Sequence, residues 1–390
     1  MHPVFLFAGF FFFAIANNIL GPLVTNIMAA TGMSLSQSGS LVSFLQIGSL
    51  TSMLISLVLM KHVRQTTVTR IGYGVLIIGL LAIAVSTGST LLFIAYLVIG
   101  FGAFLTDSGS NAILASDYYE KRKLYIPLLH FCYSIGAILT GYFILPFKGP
   151  TWRWAYGALG IILAVILIGG FLERYRRTKQ QKLNNVSPVI IPEVQAEPVL
   201  PLLKDLAFVL FNLVIIFYAG SQIICVTWIP VYVETELFQP AAITATSLTV
   251  FWIGTAISRL LMGPIMQKGG NPFSFMLGGL LLAGFTLVAL PFTANIVLAL
   301  ALVALCGFFA GATIPMYIVV TASWYPKNTA FISLSCILSA TIGRMIFPLF
   351  VSQIAEAHNL GYALMISSLM LFIAAVLSAI VQKITKERPA

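Results

Sequence analysis

Charge is what this chain has least of. Of its 390 residues only 8% are Asp, Glu, Lys or Arg, against about 25% in soluble domains, which excludes an ordinary water-soluble globule. Acid is scarcer than base, with 11 carboxylates against 21 lysines and arginines. Cysteine is sparse too: Cys132, Cys225, Cys306 and Cys336 all fall in apolar runs. No two of them have disulfide or metal-ligand spacing, so they read as small packing residues and leave the redox compartment open. There is no glycine-rich loop ending in lysine to cradle a phosphate, which excludes an ATP-driven pump. No His/Cys/carboxylate cluster suggests a metal. Neither enzyme chemistry nor a cofactor is expected.

What is present is oil. Hydrophobic residues make up 59% of the chain, and apolar runs near the roughly 20 residues needed to cross a bilayer recur from end to end. The first, from Val4 to about Ala30, is too long for a signal peptide and lacks a basic leader, so it reads as a true span. Twelve spans are expected, near 4–30, 38–60, 71–88, 90–115, 124–146, 155–172, 206–232, 241–266, 273–290, 294–320, 330–350 and 361–381. With both termini cytoplasmic, the loops on that side hold 17 lysines and arginines, and the outer loops hold only Lys148 and Arg153. That is a strong positive-inside bias. The formal charge of +10 therefore sets topology in a cytoplasmic membrane and contact with anionic headgroups; it is not a nucleic-acid footprint.

One long polar interval, ERYRRTKQQKLNNVSPVIIPEVQAEPVLPLLKD at 173–205, reads as a cytoplasmic linker. It separates an amino-terminal six-helix bundle, 1–172, from a carboxy-terminal one, 206–390. The two echo each other. A shift of 207 positions lays GFGAFLTD (100–107) on GFFAGATI (307–314), so that Gly100 meets Gly307. The same shift lays Gly136 on Gly343. Internal repeats of this kind mark secondary transporters, with the solute site between the halves near mid-membrane.

Six plus six spans, a basic central linker and cytoplasmic termini resemble the major facilitator superfamily, over essentially the whole chain. Its loop signature after the second helix is degraded here to SLVLMKHVRQ (56–65), and GPIMQKGG (263–270) follows the eighth as a weaker echo. Within the superfamily, YAGSQIIC (218–225), FWIGTAISRLLMG (251–263) and LHFCYSIGA (129–137) resemble the seventh, eighth and fifth helices of the fucose–proton and glucose symporter group. That group also sets an acidic residue four positions before an asparagine in the fourth helix, as Asp107 and Asn111 stand here. The fucose symporter carries a further aspartate in its first helix; IANNILGP (15–22) has Asn17 and Asn18 but no acid. The resemblance implies an all-α membrane fold and proton-linked uptake of a sugar.

Three formally charged residues remain inside the spans: Asp107, Arg259 and Arg344. Each costs about 2.5–3.5 kcal/mol at a helix centre on insertion scales, so each is expected to face a cavity or a partner. Asp107 is either a proton carrier or one partner in a structural hydrogen bond to a neighbouring helix; its repeat mate is apolar Ile314. Asn111, four residues on, shares its helix face. Arg344 can neutralise Asp107, grip an anionic solute in its planar fork, or snorkel to the outer interface. Arg259, nearer the cytoplasmic end, suits a gate or packing. His130 is a proton relay or a helix–helix hydrogen bonder. Gln222 and Asn18 offer donor and acceptor together, suited to hydroxyls, or glue helices. Tyr218 and Trp252 offer stacking surface to a sugar, or simply pack.

The expected function is alternating-access transport of a small polar solute, a sugar first, coupled to protons, with sodium as the alternative ion. Asp107 and His130 are the candidates for proton coupling; Asn18, Asn111, Gln222, Tyr218, Trp252 and Arg344 are those for the solute. The rivals are an organic-anion carrier or exporter of amphipathic compounds on the same fold, and a non-transporting membrane sensor. The partners are the solute, protons and the bilayer, and the protein is expected to be a monomer.

Overall fold

The computed structural model describes residues 2–59, 63–118, 122–184, 200–267, 270–325 and 328–386. Among them every long element is an α-helix. Eleven helices, or twelve spans when one bent pair is taken together, are long and apolar enough to cross a membrane. In order they are Pro3–Asn18 with Leu20–Thr31, Leu35–Leu59, Gln65–Ala84, Ser89–Ser116, Arg122–Phe143, Trp152–Asn184, Leu206–Thr235, Ala241–Gln267, Pro272–Ala289, Ile296–Ala310 with Thr313–Trp324, Thr329–Ala357 and Leu360–Ile384.

Local chemistry explains where several helices start and break. Side chains of Asp205, Asn271, Asn295 and Asn359 accept hydrogen bonds from the first-turn amides of the seventh, ninth, tenth and twelfth spans, the usual role of these residue types at a helix start. The first span bends by 49° after Asn18. Pro22 lies four residues on; its ring collides with that carbonyl and offers no N–H to it. The tenth span is interrupted at Gly311–Ala312, and Pro315 stands in the same relation to Gly311. By contrast, Pro348 does not end the eleventh helix, which runs on to Ala357, past the expected edge at 350. The sixth helix likewise continues to Asn184, so the start of the expected linker is helical. Residues 185–199 of that linker lie outside the described residues.

Contacts group the chain into two compact units. The first comprises Met1–Ile19, Ala29–Gly32 and Phe44–Val194. The second comprises Leu20–Met28, Met33–Ser43 and Gln195–Ala390. Grouping by contact thus departs from chain order at the first two spans. Gly21 lies against the Val226 carbonyl, Ser43 Oγ donates to the Met345 carbonyl at 2.7 Å, and Glu356 receives both Ser34 Oγ (2.8 Å) and the Ser36 amide (2.7 Å).

Within each unit the repeat appears as a shared way of crossing helices. In the first, a methyl group on Gly48 would overlap the Leu97 carbonyl, and one on Gly100 would overlap that of Leu45. In the second, Gly254 stands in that relation to Ala304, and Gly307 to Phe251. A hydroxyl seals each crossing: Ser49 Oγ donates to the Gly100 carbonyl at 3.0 Å, and Thr255 Oγ1 to that of Gly307 at 3.2 Å. Gly136 against the Phe11 carbonyl and Gly343 against that of Ile216 form a further matched pair. Small residues that bring backbones together are the main packing device where lipid is as apolar as the side chains.

Gly307→Val should therefore cost about 1–3 kcal/mol or more through overpacking, read as a lowered melting temperature of the purified protein. Gly278 has open space where a Cβ would stand, so Gly278→Ala should leave that temperature unchanged or raise it.

Candidate functional site

In the first unit the fourth span carries the acid. Asn111 Nδ2 donates to Asp107 Oδ1 at 2.8 Å and to the Asp107 carbonyl at 3.0 Å. Both residues are half-buried. On the same helix Thr106 Oγ1 is buried without a hydrogen-bond partner, and the buried hydroxyl of Ser110 lies against that of Tyr73 on the third span. Asp107 lies within electrostatic reach of Tyr73. Longer helices than expected bring Glu173, Glu234 and Glu356 to the ends of spans, but Asp107 remains the acid of the span interiors.

Elsewhere in this unit, Asn18 is buried and donates to the Ala14 carbonyl at 2.8 Å and to the Tyr133 hydroxyl at 3.4 Å. The amide thus bridges the first and fifth spans beside the bend. His130 is exposed, with its ring edge-on to Phe10 at 5.9 Å.

The second unit holds a relay of polar groups. Arg344 Nη2 donates to Gln222 Oε1 at 3.0 Å, and Gln222 Nε2 donates to the Tyr218 hydroxyl at 3.2 Å. Gln222 and Tyr218 are buried, and Arg344 is half-buried. Trp252 is buried edge-on to Phe251 at 5.7 Å. A cavity with room for about one water lies beside the relay, lined by Tyr218, Gln222, Cys225, Thr255 and Cys306 among others. Two cysteines that sequence spacing did not pair thus face one void. Among the described residues, no three His, Cys, Asp or Glu side chains are grouped to hold a metal.

Arg259 has a different task. Its Nε donates to the Gly311 carbonyl at 3.2 Å, the carbonyl that Pro315 leaves without an amide partner. A cation at this end of Ile296–Ala310 also suits the helix dipole. The signal was present in the sequence as Gly311 followed four residues later by proline. A second hub, on Asn212, had no such signal: its Oδ1 receives the hydroxyls of Tyr317 (3.0 Å), Ser335 (2.5 Å) and Ser339 (2.8 Å). It ties the seventh, tenth and eleventh spans together.

With fold and polar groups in place, comparison with known proteins sets the family. The model of the Major Facilitator Superfamily matches residues 6–268 and 238–390, and the chain belongs to that superfamily. Among curated proteins it is 21% identical over 380 residues to a protein TsgA homolog of Buchnera aphidicola, covering 95% of this chain and 92% of the relative. Among solved structures, a bacterial homolog of the human lysosomal transporter Spinster, inward-facing and occupied, superposes with a TM-score of 0.78 at 15% identity, over 100% of this chain and 98% of that one. The nucleoside transporter NupG gives 0.76 at 14% identity over 97% and 99%. A D-xylose–proton symporter gives 0.73 at 15% identity over 96% of each. The protein is a multi-pass membrane transporter of the secondary type.

If Arg259 serves the broken tenth span, Arg259→Met should cost about 1–3 kcal/mol by leaving a buried carbonyl unmade. Adding Pro315→Ala, which restores an amide to that carbonyl, should recover much of the loss. The check is the melting temperature of the two variants measured side by side.

Proposed function

We propose that this transporter moves a small polar solute by alternating access and couples that movement to protons through Asp107. The observation that carries the reading is Asp107 itself: a carboxylate in a span interior, hydrogen-bonded by Asn111 and accompanied by the buried hydroxyls of Thr106, Ser110 and Tyr73. The amide stabilises the charged carboxylate. Asn111 Nδ2 can bond either this carboxylate or a solute hydroxyl. Solute and proton are then linked through one amide. Thr106, Ser110 and Tyr73 supply hydroxyls along which a proton can pass with water.

The sugar class is supported by the motifs of the seventh, eighth and fifth spans and by the fold likeness to a sugar–proton symporter. Asn18 and His130 belong to this reading as cavity-lining groups, with both termini in the cytoplasm and a monomer in the inner membrane as the working form. Sodium is the alternative coupling ion.

Reconstituted Asp107→Asn should lose solute accumulation driven by a pH gradient and keep solute exchange. Asp107→Glu should retain part of the accumulation. Undiminished accumulation by Asp107→Asn would remove the coupling role.

A further inference from the structure

We infer that Arg344 is the docking point for an anionic group, a carboxylate or phosphate, on the transported solute, and that Gln222 and Tyr218 hold the guanidinium in place. The inference rests on the transport reading and narrows its solute to an anion.

Depth comes first. Arg344 sits near the midpoint of Thr329–Ala357, about 20 Å of helix from either end at 1.5 Å per residue. A mid-helix position sets it apart from the snorkelling cations found near helix ends. Partnering comes second. Among the described residues, the side chain's hydrogen bond is to the neutral Gln222 carbonyl oxygen, and no carboxylate pairs with it. A guanidinium has five N–H donors and no acceptor, and one donor is spent. An unneutralised charge is costly inside a membrane unless something pairs with it. A bidentate oxyanion is the group its fork fits best.

Gln222 explains why the charge is left unneutralised. Its oxygen is taken by Arg344, its nitrogen donates to Tyr218, and it is 8% exposed. An amide used at both ends orients a guanidinium without cancelling it. A glutamate at the same position would orient and neutralise it together, leaving little attraction for a ligand. Gln222 and Tyr218 are therefore positioning residues, whereas Arg344 is half-buried and reachable. The repeat agrees: the glycines that hold the helices together recur in both halves, but the mate of Arg344 is Ala137. The scaffold needs no arginine there.

The test uses the purified full-length protein in detergent at constant ionic strength. Thermal stabilisation and affinity are measured for glucose, gluconate, glucose 6-phosphate, succinate and inorganic phosphate, with proton uptake by proteoliposomes read in parallel for each probe. The expected result is stabilisation by one or more anionic probes. Affinity should fall at least tenfold in Arg344→Gln and Gln222→Glu, fall severalfold in Arg344→Lys, which keeps the charge and loses the fork, and drop a few-fold in Tyr218→Phe. Gluconate against glucose 6-phosphate separates carboxylate from phosphate. Gln222→Glu is decisive because it should melt no lower than the parent protein while losing the anion, which a purely structural role for Gln222 does not produce. Stabilisation by glucose alone, unchanged in Arg344→Gln, would overturn the anion inference and leave the transport reading standing. Failure of every anionic probe to bind also overturns it; if no probe drives proton uptake either, the proton-coupled reading falls as well.

Discussion

A backbone carbonyl inside hydrocarbon has no water to turn to, and the architecture of this chain follows from where such carbonyls find donors. Regular helix settles most of them. The remainder arise where prolines interrupt spans or where helices meet at glycine. Arg259 meets the Gly311 carbonyl; Ser49 and Thr255 meet those of Gly100 and Gly307. The hydroxyl and the missing side chain work as a pair, because only glycine lets the backbones close enough for a short serine or threonine to bridge them. The two units solve the problem with residues at matching places in the repeat.

Against that shared scaffold the charges are unshared. In the repeat Asp107 aligns with Ile314, and Arg344 with Ala137. Symmetry is kept where packing demands it and abandoned where a charge is needed, which separates framework from function more cleanly than burial does. One half offers a carboxylate held by an amide donor; the other offers a guanidinium held by an amide acceptor. In both pairs an asparagine or glutamine manages a charge without cancelling it.

The apolar runs made the twelve spans legible, because hydrocarbon thickness imposes their length whatever the tertiary contacts. The repeat was legible too, and the structure gives Gly100/Gly307 and Gly136/Gly343 a common reason. Asp107 and Asn111 were readable as a pair because four residues along a helix is a local distance. Arg344 and Gln222 were not, since 122 residues separate them and no periodicity reports a crossing. Asn212 escaped notice for the same reason: its three hydroxyl partners come from two other helices. Helix ends were the least legible. The eleventh span was expected to end near 350, but its helix runs to Ala357, which moves Arg344 from near a helix end to the middle of the helix.

That extension also places Glu356 where it serves as the helix cap of a different span. The second span begins at Leu35, and its first-turn amide at Ser36 and the Ser34 hydroxyl are both taken by Glu356. A cap of this sort works only within hydrogen-bond range, about 3 Å, whereas one turn of helix advances about 5.4 Å. A one-turn slip of the eleventh helix would break both bonds together, with no intermediate register to share them. The start of the second span is thus tied, through a single carboxylate oxygen, to the helix that carries Arg344.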